Sequence, residues 1–452
     1  MSETVRRMDS GRSPIRGGTF AAIAASTALC LVMPGAALAG TRIAPAAVLR
    51  GTSVVGGRGS ARAPGEVSLP LRVRNRAAYT AAKLAADRRA GRSRRAPATA
   101  RALSGPRATL FGGLDAAGLT AAAQIASEGV AGDVAPPDTT GAIGPGYYVE
   151  LVNNEAAVLK RSDLSMVGSP APLEAFMNGS GICDPQVKYD PQADRWFYAA
   201  IRCDGKEDRL YLGFSKTSDP TDLSTAEGHG WCGYSYATGS ALEDYPKLGL
   251  DPRHIVIGTN SFNAATEAFL TAHILAAPKP TGAIAKCPAE APALSAFGSE
   301  AKPLKTSLGD EAFTPEPATV SDASSSGGYV VAADLFSAEA GEHLMLWKVA
   351  GTAESPELEE VADPRVTPFR LPPSIPQPGT FKAIDSSDTR LTQAVAAADP
   401  NAGGEEAVWT QHTVAGGAGS VVRWYELLPG KGTVRQEGTI SDASKYVFNG
   451  AI

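Results

Sequence analysis

From residue 136 onward, apolar residues fall in short alternating or continuous runs, each closed by Gly, Pro, Asp or Ser. That is the pattern of strands and turns; the spacing of an amphipathic helix is missing. One unit recurs: proline, four residues, aspartate, a turn, then an apolar strand. It reads 185–190 (Pro-Gln-Val-Lys-Tyr-Asp) before 195–201, 246–251 (Pro-Lys-Leu-Gly-Leu-Asp) before 254–258, and 317–322 (Pro-Ala-Thr-Val-Ser-Asp) before 328–333. A fourth copy, 380–385, lacks the proline but keeps Asp385 and precedes 391–397. The aspartates lie 61, 71 and 63 residues apart. A degenerate copy opens at Thr140, and another starts at Val447. Further runs at 210–215, 231–236, 268–275, 343–349, 407–414, 421–427 and 434–440 supply more strands for each unit.

A unit of this kind cannot bury both faces of its sheet alone and must stack on its neighbours. The expected fold is therefore all-β, a β-propeller of five to six blades within residues 110–452. The final unit would be incomplete, because the strand starting at Val447 has nothing beyond it to pair with. A two-sheet sandwich or a pair of β-domains is the alternative, and regular recurrence of one turn argues against both.

The first 39 residues read as a secretion signal. Arg6, Arg7, Arg12 and Arg16 precede an apolar run over 20–32, and Ala37-Leu38-Ala39 supplies the small-x-small cleavage pattern. The run is about thirteen residues, short of the roughly twenty that cross a bilayer as a helix. A secreted, extracellular protein without a membrane span after cleavage is expected.

Residues 41–107 carry a net charge of +13, and residues 108–452 carry −20. The basic stretch is rich in Ala, Gly and Pro and poor in large apolar residues, so residues 40–109 are expected to be a basic low-order segment with little tertiary packing. A solvated pro-segment or linker accounts for it. Tyr79 is its one aromatic residue, too few for a base-stacking platform, so no nucleic-acid partner is expected.

Once Cys30 leaves with the signal, Cys183, Cys203, Cys232 and Cys287 remain, an even number suited to two disulfides in an oxidising compartment. A hairpin turning between Asp190 and Arg195 sets Cys183 opposite Arg202, and a one-residue bulge would align it with Cys203. Cys183–Cys203 is the first-choice bridge, leaving Cys232–Cys287.

Several short motifs carry a resemblance. They are 111–114 (Phe-Gly-Gly-Leu), 136–145 opening Pro-Pro-Asp-Thr-Thr, 149–153 (Val-Glu-Leu-Val-Asn), Asp184-Pro185, 189–190, 194–197, 218–220, 244–248 (Asp-Tyr-Pro-Lys-Leu), 377–379, 389–391 (Thr-Arg-Leu) and 423–426. Through them the chain resembles a family of secreted bacterial β-propeller proteins. The resemblance implies the fold and export, and it carries no catalytic residues across.

Recognisable catalytic motifs are missing. The five histidines form no H-E-x-x-H, and one H-x-x-C (His229, Cys232) stands alone. There is no G-x-S-x-G elbow, no phosphate loop and no sialidase Asp-box. Carboxylates are plentiful, and Glu243, Asp244, Asp385 and Asp388 are candidates for an acid/base pair. Calcium, the one cofactor considered, would take Asp385 with Asp388, or Asp219 with Asp222. Two functions follow: a monomeric extracellular binding or adhesion module for a glycan, wall polymer or protein, or a glycan-active hydrolase with its carboxylates at the propeller channel. Two carboxylates gathered beside an arginine or aromatic platform would favour the second.

Overall fold

The computed structural model describes residues 41–54, 67–68, 71–91, 113–120, 134–205, 207–306, 309–334 and 340–452. The secretion signal lies outside these residues. The described residues are all-β apart from one long helix, Arg76–Arg89, and short helical turns.

Five antiparallel strand groups, called sheets below, follow one another along the chain, the third and fifth joined into one ten-stranded sheet. The first comprises Thr140–Ile143, Tyr147–Val152, Glu155–Lys160 and Ala171–Pro172. In the second, Ile182–Asp190 leads to Arg195–Arg202, Asp208–Ser215 and Trp231–Gly239. The third is built from Ala241–Leu250, His254–Asn263, Phe269–Pro278 and Leu294–Phe297. Glu316–Pro317, Gly328–Ala333, Gly341–Gly351 and Pro356–Ala362 make the fourth. The fifth contains Gln393–Asp399, Glu405–Gly416, Gly419–Leu428 and Thr433–Ile440. Thr319–Val320 bridges the third and fifth sheets by parallel pairing with both of their first strands.

Four hydrophobic cores lie between consecutive sheets, and strand periodicity explains how one strand serves two of them. In Arg195–Arg202, side chains alternate between faces. Trp196, Tyr198 and Ala200 enter the core shared with the first sheet, while Phe197, Ala199 and Ile201 enter the core shared with the third. In Gly328–Ala333, Val330 and Ala332 face the third sheet; Tyr329, Val331 and Ala333 face the fifth. Burial on both faces is why these strands read as continuous apolar runs.

Three expectations are corrected. The repeat after the fourth sheet does not turn at Asp385, since residues 383–384 belong to a small two-stranded ladder with 375–376. The turn comes at Asp399-Pro400, where Asp399 pairs with Glu405. Asp-Pro is also the turn at Asp190-Pro191 and Asp251-Pro252, because Asp bonds the backbone two residues on and Pro presets φ. Residues 447–452 form no strand. They lie along the fifth sheet, where the Asn449 amide donates to Thr413 Oγ1 and Gln411 Nε2 to the Gly450 carbonyl.

The third correction concerns the basic segment, whose described residues are packed. Thr41–Ile43 adds an outer strand to the fourth sheet, Ala47–Leu49 to the third and Thr52–Ser53 to the second. Its described residues form no core of their own, as the composition requires. They are ordered instead by open sheet edges and by charge: Arg42 meets Glu357 at 2.9 Å and Glu359 at 3.3 Å.

Both disulfides are present, with Cα separations of 6.0 Å for Cys183–Cys203 and 5.4 Å for Cys232–Cys287. The expected bulge exists, between Cys183 and Gln186, but it shifts the pairing the other way and sets Cys183 opposite Ile201. Cys203 is then two positions away along the ladder, on the same side as Ile201, and the bond closes a diagonal pair. Among the described residues no helix is long and apolar enough to cross a membrane.

Candidate functional site

The first strands of the second and third sheets each carry an irregularity beside a proline, between Cys183 and Gln186 and between Asp244 and Lys247. The residues before those prolines, Asp184 and Tyr245, have φ of 49° and 55°. The other three sheets do the same at or just ahead of their first strands: Asp138 (41°), Thr314 (50°) and Thr389 (70°). None of the five is glycine, so each holds a left-handed conformation that costs on the order of 1–3 kcal/mol. Gly258 lets the Thr314 loop close in, because a Cβ there would meet the Pro315 carbonyl at 1.9 Å.

These turns bring three carboxylates together. Asn153, almost fully buried, donates Nδ2–H to Asp138 Oδ2 at 2.8 Å and accepts the Asp184 amide at Oδ1 at 2.7 Å. Asp138 and Asp244 both act electrostatically on Asp184. Burial, with Asp244 and Asp138 adding to it, raises the Asp184 carboxyl well above the ordinary range despite Arg72. Burial also raises Asp244, opposed by Arg72 and Arg390. Burial and the neighbouring acids thus both favour the protonated form of Asp184.

Cations and rings border the acids. Arg390 Nε and Nη2 donate to the two oxygens of Asp388 at 2.7 and 2.8 Å. The guanidinium carbon stands 4.8 Å from the Tyr245 ring centroid and 5.0 Å from that of Phe313. Lys247 Nζ lies 4.0 Å from the Tyr245 ring and 3.9 Å from Glu316. Lys188 faces Glu316 as well; burial lowers its pKa, while burial raises that of Glu316.

The basic segment reaches the same place. Arg72 Nη1 donates to Asp244 Oδ1 at 2.8 Å, and the Arg72 carbonyl accepts Arg390 Nη2 at 2.8 Å. The helix Arg76–Arg89 follows. Its Lys83 is buried and donates to the Pro372 carbonyl, Ser386 Oγ and the Ser387 carbonyl at 2.9, 2.6 and 2.8 Å.

Of the four candidate carboxylates, only Asp244 joins the cluster directly. Asp388 touches it through Arg390; burial raises its pKa, but the Arg390 charge and the hydrogen bonds it accepts together lower it. Glu243 is committed to His273 at 3.0 Å and to the Thr259 hydroxyl. Asp385 accepts from Tyr79 and stands 3.5 Å from Lys83 Nζ. Of the two calcium candidates, Asp385 and Asp388 are thus engaged by cationic side chains. Asp219 caps the Thr221 amide, and Asp222 accepts from the Gly230 amide and faces His229 at 3.0 Å.

Sequence reasoning missed Asp138, Asp184, Asn153, Tyr245 and Arg390 as site residues. A signal existed: five of the motifs behind the family resemblance, 136–145, 149–153, Asp184-Pro185, 244–248 and 389–391, converge at this cluster.

No protein-family model matches the chain, and none of the curated proteins does. Among solved structures, it is similar to an exo-1,5-alpha-L-arabinanase from a bovine ruminal metagenomic library. The identity is 13%, the match covers 64% of this chain and 93% of that one, and the TM-score is 0.28.

Proposed function

We propose that the protein is a secreted glycan-active hydrolase built as a five-bladed β-propeller, with Asp184 and Asp244 as its acid and charged partner at the mouth of the central channel. The blade reading is supported by five consecutive sheets, by the cores between them and by first strands that each bend at the same place. Export is supported by the two disulfides. The function rests on one observation: Asp184 and Asp244, from two different sheets, and Asp138, just ahead of a third, gather beside Arg390 and Tyr245. In the mechanism, Asp184 retains the proton and donates it to the leaving glycosidic oxygen. Asp244, with Arg390 near it, carries the negative charge that supports the developing positive charge of the sugar or activates water. Asn153 is a positioning residue that fixes Asp138 against Asp184. Tyr245 supplies an aromatic face for a sugar ring.

The test is a polysaccharide panel assayed for new reducing ends. Asp184→Asn is expected to lose about 100-fold or more of the rate, the usual contribution of a general acid. An unchanged rate in that variant would remove Asp184 from the role.

The second reading is a binding or adhesion module for an extracellular glycan or protein. It is favoured by the state of Asp244, which is buried and already satisfied by Arg72. Glycan-array binding without any product would select it.

A further inference from the structure

The segment that satisfies Asp244 belongs to the part of the chain with a net +13 charge, and it is docked in an unusual way. Helix Arg76–Arg89 buries Lys83 and Ala86 and leaves Leu84 54% exposed, so the face it buries combines small alanines with one cation and offers little apolar area. Its anchors are directional bonds: Lys83 to Pro372, Ser386 and Ser387, Asp87 to the Ser374 amide at 2.8 Å, and Tyr79 to Asp385. Ahead of the helix, Arg74 donates to the Glu311 carbonyl at 2.9 Å, and its guanidinium lies 5.6 Å from the Phe269 ring centroid. Beneath the helix a cavity of about 410 Å³ remains, lined by Val73, Tyr79, Ala82, Phe369, Asp388 and Thr389 among others. A permanent structural helix would be seated on an apolar face with interior packing close to that of a crystal. This one buries little apolar area and is held mainly by charges and hydrogen bonds beside a partly open cleft, an arrangement that competes with water and weakens with salt.

We infer that residues 71–90 are a cis-acting inhibitory cap, with Arg72 as a guanidinium ligand occupying the acidic cluster. Charge complementarity between the +13 segment and the −20 remainder keeps the cap in place. Arg390 grips the Arg72 carbonyl while Asp244 takes its guanidinium, so the chain passes directly over the carboxylates. A substrate reaches Asp184 and Asp244 after the cap leaves. The inhibitory role rests on the hydrolase reading; the occupancy of the acidic cluster by Arg72 does not.

The experiment uses the full exported chain and reads two things. The first is the rate at which a water-soluble carbodiimide with an amine labels Asp244, followed by mass spectrometry with exposed Asp163 as internal standard. The second is turnover on the polysaccharide panel. Arg72→Ala removes the ligand; Lys83→Ala and Asp87→Ala undock the helix without touching the carboxylates and guard against misfolding of the first variant. Labelling of Asp244 relative to Asp163 is expected to rise at least tenfold in all three, with millimolar agmatine slowing it again in Arg72→Ala. Equal labelling in wild type and Lys83→Ala would overturn the cap. Faster labelling with no turnover in any variant would leave the cap standing and remove the hydrolase. Wild-type turnover equal to that of the variants would do the reverse.

Discussion

Arg390 and Asp388 form a two-toothed ion pair at 2.7 and 2.8 Å, with the arginine side chain 1% exposed and the aspartate 7%. The pair faces the Tyr245 ring and the Arg72 carbonyl at once, so it fixes one wall of the site. Removing one partner strands a buried charge. Asp388→Ala is expected to cost about 3–5 kcal/mol, whereas the double change Asp388→Leu with Arg390→Met should cost less. Urea unfolding of the three proteins measures this, and a double variant as unstable as the single would contradict it.

His412 titrates inside the fold in a way that should be visible in stability. It is fully buried, with Nδ1 2.7 Å from the Thr389 carbonyl and Nε2 2.9 Å from the Tyr425 hydroxyl. The neutral ring with its proton on Nδ1 satisfies both contacts, since the carbonyl only accepts and the hydroxyl can donate. Burial lowers its pKa to about 4 from the ordinary 6.5. Between those values the unfolded chain binds a proton that the folded chain does not. Folding stability therefore falls as pH drops from 6.5 toward 4, by up to about 3 kcal/mol. His412→Gln should flatten that part of the profile. Urea midpoints at pH 7.5 and 4.5 give the comparison, and an equal slope in both proteins would contradict the assignment.

Much of the fold was legible because its signals are local. Alternation and turn residues mark most of the strands, and the continuous run at 196–201 marks a strand buried on both faces. The misplaced fourth repeat came from favouring the proline-x4-aspartate spacing over the Asp-Pro turn itself, which Asp190, Asp251 and Asp399 share. The site was far less legible. Asp138, Asp184 and Asp244 are scattered over more than a hundred residues, and only the bends at the five first strands bring them together. A residue with positive φ that is not glycine leaves no mark in the sequence. The basic segment misled for another reason: its composition denies it a core, yet edge pairing and ion pairs place its described residues without one.

The two disulfides are expected to contribute unequally. Cys232–Cys287 closes a separation of 55 residues and Cys183–Cys203 one of 20. Loop-closure entropy assigns about 4 kcal/mol to the longer and about 3 to the shorter. Replacing Cys232 and Cys287 by alanine should lower the unfolding free energy more than replacing Cys183 and Cys203. Non-reducing peptide maps of protein made in an oxidising compartment should recover both pairs, and free thiols at any of the four positions would contradict the pairing.

The outer strands given by residues 41–54 should protect three sheets from each other and from neighbouring molecules. The Ala46 amide donates to the Ala296 carbonyl at 2.7 Å, and the Val54 amide donates to the Gly233 carbonyl at 3.0 Å. Proline at either position removes the donor and restricts the backbone. Each lost bond costs on the order of 1 kcal/mol. The larger effect is exposure of Leu294–Phe297 and Trp231–Gly239 as free edges, which are templates for strand addition. Ala46→Pro should therefore speed amide exchange in Leu294–Phe297 and leave Trp231–Gly239 nearly unchanged, and Val54→Pro should do the opposite. The double variant should scatter light on warming below its unfolding temperature, because its folded state already offers open edges. Exchange rates at both edges equal to those of the wild type would mean that residues 41–54 do not guard them.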